Sequence, residues 1–140
     1  LPDAPKPVAA YVPFVRSGDL IFTSGQIAVE GGQLKYKGKV GRDLTPEEGY
    51  QAARLCAINT LAVLKSAVGS LDKVAQIVKV VVFVNSADGF TGQPAVANGA
   101  SELYQQVFGE AGLHARSAVG ASELPMGTAV EVEVIARISE

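Results

Sequence analysis

An arginine and a glutamate stand in two stretches that otherwise read as core strands. Arg116 opens the small-residue run "RSAVGA", and Glu131 interrupts the valine-rich run "AVEVEVIA". A guanidinium presents a planar fork of donors that matches a carboxylate two bonds at a time, which makes Arg116 a candidate anchor for a small carboxylate. The plainer reading is an exposed strand arginine, or the partner of Glu131 or Glu133 in a weak surface ion pair. In a strand, residues i and i+2 share a face, so Val130, Val132, Val134 and Ala136 take one side and Glu131, Glu133, Ile135 and Arg137 the other. That acidic side is either a solvated row of charges or faces a partner or a wet pocket, since a buried unpaired carboxylate is costly.

Four other residues bear on chemistry. Ser24, in "FTSGQ", has no specified acid and base to make it a nucleophile. Its hydroxyl either satisfies local backbone beside the bend that Gly25 permits or hydrogen-bonds a ligand. His114 lies one strand repeat before Arg116 and could share its face, although a histidine in a glycine-rich loop reads first as exposed. Tyr11 follows a proline-rich arm, and Cys56, between Leu55 and Ala57, reads as an inert packed thiol. One cysteine and one histidine exclude an intramolecular disulfide and argue against a Cys/His zinc site, so no metal is expected.

The elements that must position these groups follow from local rules. Three prolines in "LPDAPKP" predict an extended arm over residues 1–10. Two β-rich runs flank Ser17-Gly18-Asp19 as a hairpin, with Pro13 placing the first at a sheet edge or strand start. A glycine-rich excursion over 31–44 has room for a short strand at 33–36. Thr45, Pro46 and Glu48 form a capping box with proline at N1. This starts a helix over 46–68, with Leu55, Ile58, Leu61 or Ala62, and Val68 at helical spacing and Gly69 as its stop. Residues 71–74 read as a turn. "VAQIVKVVVFVNS" is the strongest strand, and its unbroken apolar content predicts burial on both faces. A second helix spans 94–108 with Val96, Leu103 and Val107 on its apolar side, followed by strands at 115–121 and 129–138. The order ββ(β)αβαββ predicts an α+β fold, one domain over 1–140, with a mixed sheet and both helices on one face. The other face then needs a second subunit to cover it.

Composition narrows the classes. The 140 residues are 48% hydrophobic and 19% charged with net charge −2, which fits a folded protein. No stretch gathers Lys and Arg into a phosphate-tracking surface, so nucleic acid is not an expected partner. No apolar run reaches membrane-spanning length and no signal-peptide plan is present, so a cytoplasmic protein with no membrane partner is expected.

Taken in order, "FTSGQI", "VVVFVNS", "ARSAVG" and "LPMGTAVEVEVIA" resemble the RidA/YjgF family of imine deaminases, also known by the older label L-PSP endoribonuclease, over about residues 11–138. The resemblance implies a chorismate-mutase-like fold, a homotrimer with ligand clefts between subunits, and hydrolysis of small 2-imino or enamine acids to 2-keto acids and ammonia without a cofactor. It assigns the substrate carboxylate to Arg116, the water or leaving nitrogen to Glu131, and other substrate contacts to Tyr11 and Ser24. Two positions depart from the better-known deaminases. Ala118 stands where those often carry cysteine, leaving only a backbone contact, and Ser101 aligns with their asparagine while Asn98 falls three residues out of register. The 31–44 loop is also longer. These departures keep open a trimer that binds a 2-keto acid or similar small carboxylate without turnover. Ribonuclease or translation inhibition, after the older label, is opposed by the acidic balance.

Overall fold

The computed structural model describes residues 1–7 and 10–139. Residues 1–7 run without helix or strand, while positions 8 and 9 of the expected arm lie outside the described residues. The elements that follow are β1 (Phe14–Ser17), β2 (Leu20–Thr23), β3 (Gln26–Ile27), β4 (Val29–Glu30), β5 (Gln33–Leu34), α1 (Pro46–Val68), β6 (Val74–Asn85), α2 (Gln93–Phe108), β7 (Ala115–Ala121) and β8 (Val130–Ile138). β1 and β2 form the expected hairpin, with Gly18 at φ 63° in its turn. β4 and β5 make a separate small hairpin around Gly31 and Gly32, where the glycine-rich excursion begins.

The main sheet runs β1-β2-β8-β6-β7, with β3 continuing beside β8 beyond the end of β2. All pairs are antiparallel except β6 with β7, as a sheet with a helical crossover between those two strands requires. β1 begins directly after Pro13 and lies at one edge; β7 lies at the other. Both helices pack on one face over a core of Ile77, Val80, Val82 and Val84 from β6 and Val130, Val132, Val134 and Ala136 from β8. This is the mixed α+β architecture expected.

α1 keeps its expected bounds because both ends are specified locally. Glu48 N–H donates to Thr45 Oγ1 at 3.1 Å and Thr45 N–H donates to Glu48 Oε1 at 2.9 Å, while Gly69 at φ 88° ends the helix. Its buried stripe includes Leu61 and Ala62 as expected but differs at Leu55 and Ile58. The centre is Ala52, Ala53, Cys56, Ala57 and Thr60, and the larger Leu55 and Ile58 sit half-buried at its margin. Small residues let α1 settle close on the sheet and on α2, which turns the bulky pair sideways.

Two further expectations are corrected. β6 is buried on one face only: Val78 is 37% exposed, and Lys79, Val81 and Phe83 are partly exposed on the face away from the helices. Its apolar run therefore leaves an uncovered side within one chain. Val107 is 43% exposed, although Phe108 beside it packs against the core, while Val96 and Leu103 are buried as expected.

The closest approach of the helices is at Gly99 of α2, where an added methyl would collide with the Tyr50 carbonyl oxygen of α1. Gly99→Ala should therefore lower stability by about 1–3 kcal/mol, the range for overpacking, despite the higher helix propensity of alanine. Urea titration checks this; an equal or raised midpoint would contradict the close packing.

Candidate active site

Arg116 lies on edge strand β7 in register with Val80, on the face that the helices cover. One of its terminal nitrogens, Nη1, donates to Asn98 Oδ1 at 2.8 Å and to Ser101 Oγ at 3.1 Å. Asn98 and Ser101 are three residues apart on α2, so both face the strand from neighbouring turns. The two alternatives for the aligned asparagine thus both reach the same nitrogen. Nη1 has two protons and both are used. Nε and Nη2 make no hydrogen bond among the described residues, and no carboxylate lies within ion-pair distance of the guanidinium among them.

Ser101 is 6% exposed and also meets His114, whose Nε2 lies 2.8 Å from its hydroxyl oxygen. His114 Nδ1 lies 2.6 Å from the Gly112 carbonyl oxygen. The ring packs edge-on against Tyr104, with centroids 5.8 Å apart. Burial pushes the His114 pKa down, so the imidazole is neutral at neutral pH. The exposed loop histidine expected from composition is instead half-buried and bonded at both nitrogens. Its spacing of two from Arg116 was the available signal. Ala118, two residues beyond Arg116, is on the same face and packs against the core.

Glu131 is elsewhere. It is in register with Phe83, three positions along β6 from Val80, hence on the opposite face and two strands across from Arg116. Strand geometry separates the two by roughly 14 Å, so within one chain they are not an ion pair. The acidic partners considered for Arg116 are replaced by Asn98 and Ser101.

Around Glu131 the fold builds a cavity of about 660 Å³. Its walls include Tyr11, Ile27, Leu55, Ile58, Met126 and prolines of the N-terminal arm. The off-centre Leu55 and Ile58 of α1 therefore serve as pocket wall. Between Phe22↔Ile135 and Gln26↔Val132 the first strand carries one extra residue, a bulge that ends β2 and re-aims β3. Gly25 sits in that bulge, where a methyl would collide with the Glu131 carboxylate. Ser24 donates its hydroxyl proton to the Val12 carbonyl at 2.6 Å, tying the segment before β1 across the bulge next to Tyr11. Asn59 Nδ2 donates to the carbonyls of Ile27 at 3.1 Å and Val29 at 2.9 Å, satisfying backbone that the short β3 leaves unpaired.

Burial, then the neighbouring Glu133, raises the Glu131 pKa from its ordinary value. Burial likewise pushes up the Cys56 thiol, which is fully buried with Sγ 3.3 Å from the Val130 carbonyl oxygen, as expected of an inert packed residue. The long loop is pinned by Lys39, whose ammonium donates to Asn85 Oδ1 at 3.0 Å and to the Ser122 carbonyl and pairs with Glu123 at 3.2 Å. No helix among the described residues is long and apolar enough to cross a membrane.

Residues 1–138 match the family described as "YjgF/chorismate_mutase-like, putative endoribonuclease". The chain is 45% identical over 140 residues to Protein TCP17 of Trypanosoma cruzi, covering 99% of this chain and 88% of that protein. It is 31% identical over 134 residues to a 2-iminobutanoate/2-iminopropanoate deaminase of Dermatophagoides farinae, covering 96% and 90%. Among solved structures, a protein of unknown function from Agrobacterium tumefaciens superposes with TM-score 0.90 at 45% identity, covering 91% of this chain and 82% of that one.

The raised Glu131 pKa has a measurable consequence. An acid whose folded pKa exceeds its unfolded value costs stability when ionised, and the cost disappears as pH falls through the folded pKa to below the unfolded one. Glu131→Gln should thus melt at an equal or higher temperature than wild type at pH 7, with the gap closing toward pH 4. A variant less stable at pH 7 would mean that the ionised carboxylate is held by favourable contacts.

Proposed function

The chain belongs to the YjgF/RidA family, and from that premise we propose that it hydrolyses small 2-imino acids, and enamine tautomers such as 2-aminoacrylate, to 2-keto acids and ammonia. The observation that carries this reading is the Arg116 guanidinium: one nitrogen is held by Asn98 and Ser101 and the other edge is left open to a carboxylate. A side-on pair with Nε and Nη2 would orient the substrate's C1–C2 axis. Water adds to the C=N carbon, a proton reaches nitrogen, and the C–N bond of the resulting carbinolamine breaks to release ammonia and leave the 2-keto acid. Addition to an imine is intrinsically easy, so holding substrate and water together supplies much of the acceleration. Glu131 serves to orient the water and carry the proton, a task suited to a half-buried carboxyl whose pKa is raised. Tyr11 closes the same pocket.

Arg116 and Glu131 belong to opposite sides of one subunit, so this reading requires a second copy. A head-to-tail ring brings the β7 edge of one subunit to the Glu131 pocket of the next, and three copies close it as the family resemblance implies. Such a ring also covers the uncovered sheet face, where Val15, Phe22 and Val119 are 55%, 39% and 44% exposed. Ala118 and Ser101 favour a second reading in which the same cleft binds a 2-keto acid without turnover.

The two readings separate in one assay. 2-Iminobutanoate is generated in situ by a dehydratase, and its decay is followed by semicarbazide trapping. Wild type should suppress trapping and speed keto-acid release. Arg116→Ala should lose at least about tenfold in kcat/KM, given the worth of charge-assisted hydrogen bonds, while keeping the fold and the assembly mass. Tight keto-acid binding with unaltered imine decay would select the binding protein. Full activity in Arg116→Ala would remove the anchor.

A further inference from the structure

The two bonds on Arg116 Nη1 depend on a chain of groups that ends in a backbone carbonyl. The Gly112 carbonyl oxygen can only accept, so His114 Nδ1, 2.6 Å away, carries the ring proton. In the neutral imidazole Nε2 is then a bare acceptor, and the Ser101 hydroxyl 2.8 Å away must donate to it. With its single proton committed, Ser101 Oγ turns a lone pair toward Arg116 Nη1 at 3.1 Å, and the second Nη1 proton goes to Asn98 Oδ1 at 2.8 Å. Every bond runs in one direction, from guanidinium to hydroxyl to imidazole to carbonyl, which strengthens each link.

We propose that His114 is a positioning residue for Arg116: by locking the Ser101 hydroxyl it holds the guanidinium with its Nε–Nη2 edge, and no other, toward the ligand. This rests on the carboxylate-anchor reading above. It assigns Ser101 to holding Arg116 and leaves it no proton for substrate. Without the imidazole the hydroxyl rotates, and its proton then competes with the arginine for the same approach. The guanidinium then swings about its remaining bond to Asn98, and a planar carboxylate loses a prearranged partner.

The surroundings fit this task. A methyl at Gly112 would collide with the Tyr104 carbonyl, so only glycine lets the turn approach α2 closely enough to put its carbonyl under the imidazole. Tyr104 is itself fully buried with its hydroxyl 2.6 Å from Thr60 Oγ1 on α1. The ring that supports His114 is thereby fixed to the helix layer.

The test uses the full chain and three variants. His114→Phe keeps a ring against Tyr104 but removes the acceptor, His114→Gln restores a side-chain carbonyl near the Nε2 position, and Ser101→Ala removes the link. Pyruvate serves as the carboxylate probe in calorimetry, and the Arg116 side-chain N–H signals are followed by NMR in unliganded protein. His114→Phe and Ser101→Ala should each weaken pyruvate binding about fivefold, the size of one neutral hydrogen bond, and together no more than either alone. Both should average the Nη signals that are distinct in wild type, and His114→Gln should restore affinity and spectrum. Unaltered signals and affinity in His114→Phe, with Arg116→Ala abolishing binding, would overturn the positioning role and leave the anchor standing. If wild type binds no pyruvate yet the Arg116 signals respond to His114→Phe and recover in His114→Gln, the positioning role stands and the anchor reading fails. Should His114→Phe not fold, His114→Gln and Ser101→Ala carry the comparison: distinct Nη signals in the first and averaged ones in the second support the role, and identical spectra overturn it.

Discussion

A guanidinium on the helix-covered face of a sheet must find acceptors there, because it stays charged at any ordinary pH and cannot be left dry. Arg116 meets that demand with an amide and a hydroxyl from α2, not with a carboxylate. Had an acid filled the position, the cation would be neutralised and no charge would remain for a ligand. Neutral acceptors hold the group in place and keep its charge available.

The placement of Glu131 follows from packing as well. Glu131 is on the opposite face because β8 alternates strictly and its even-numbered valines fill the core. The pocket in front of it exists because β2 ends in a bulge, Gly25 leaves room for the carboxylate, and Leu55 and Ile58 are turned off the centre of α1. Asn59 then stabilises the irregular backbone of β3 from the helix side. Arg116 and Glu131 are both carried on strands of the main sheet. The valine and phenylalanine side chains on the face away from the helices, Val15, Phe22 and Val119, stay exposed within the single chain.

Much of this was legible in the chain. Capping residues, glycine stops and the period of the apolar residues specify α1 and the late strands within a residue or two, because those signals act over a single turn. The type and spacing of Arg116 and Glu131 marked them as candidates before any contact was known. Less was legible where packing overrode pattern. Leu55 and Ile58 have the size of core residues, yet the alanines beside them let the helices close up and take the centre. The valine run of β6 reads as doubly buried, and the folded chain buries only one side of it. His114 looked like a loop residue because nothing local says that Gly112 brings a carbonyl to its ring.

The sequence by itself determined which segments become helix and strand, which side of β8 is apolar, and that a cation and an acid stand in strands where neither belongs by composition. These are properties of neighbouring residues, set by dihedral preference and side-chain alternation. Only the tertiary structure decided that Arg116 and Glu131 lie on opposite faces two strands apart, and that Asn98, Ser101 and His114 converge on one guanidinium. Those outcomes depend on the register of β6 against β7 and β8 and on the seat of α2 over the sheet. Both are set by contacts between residues far apart in the chain.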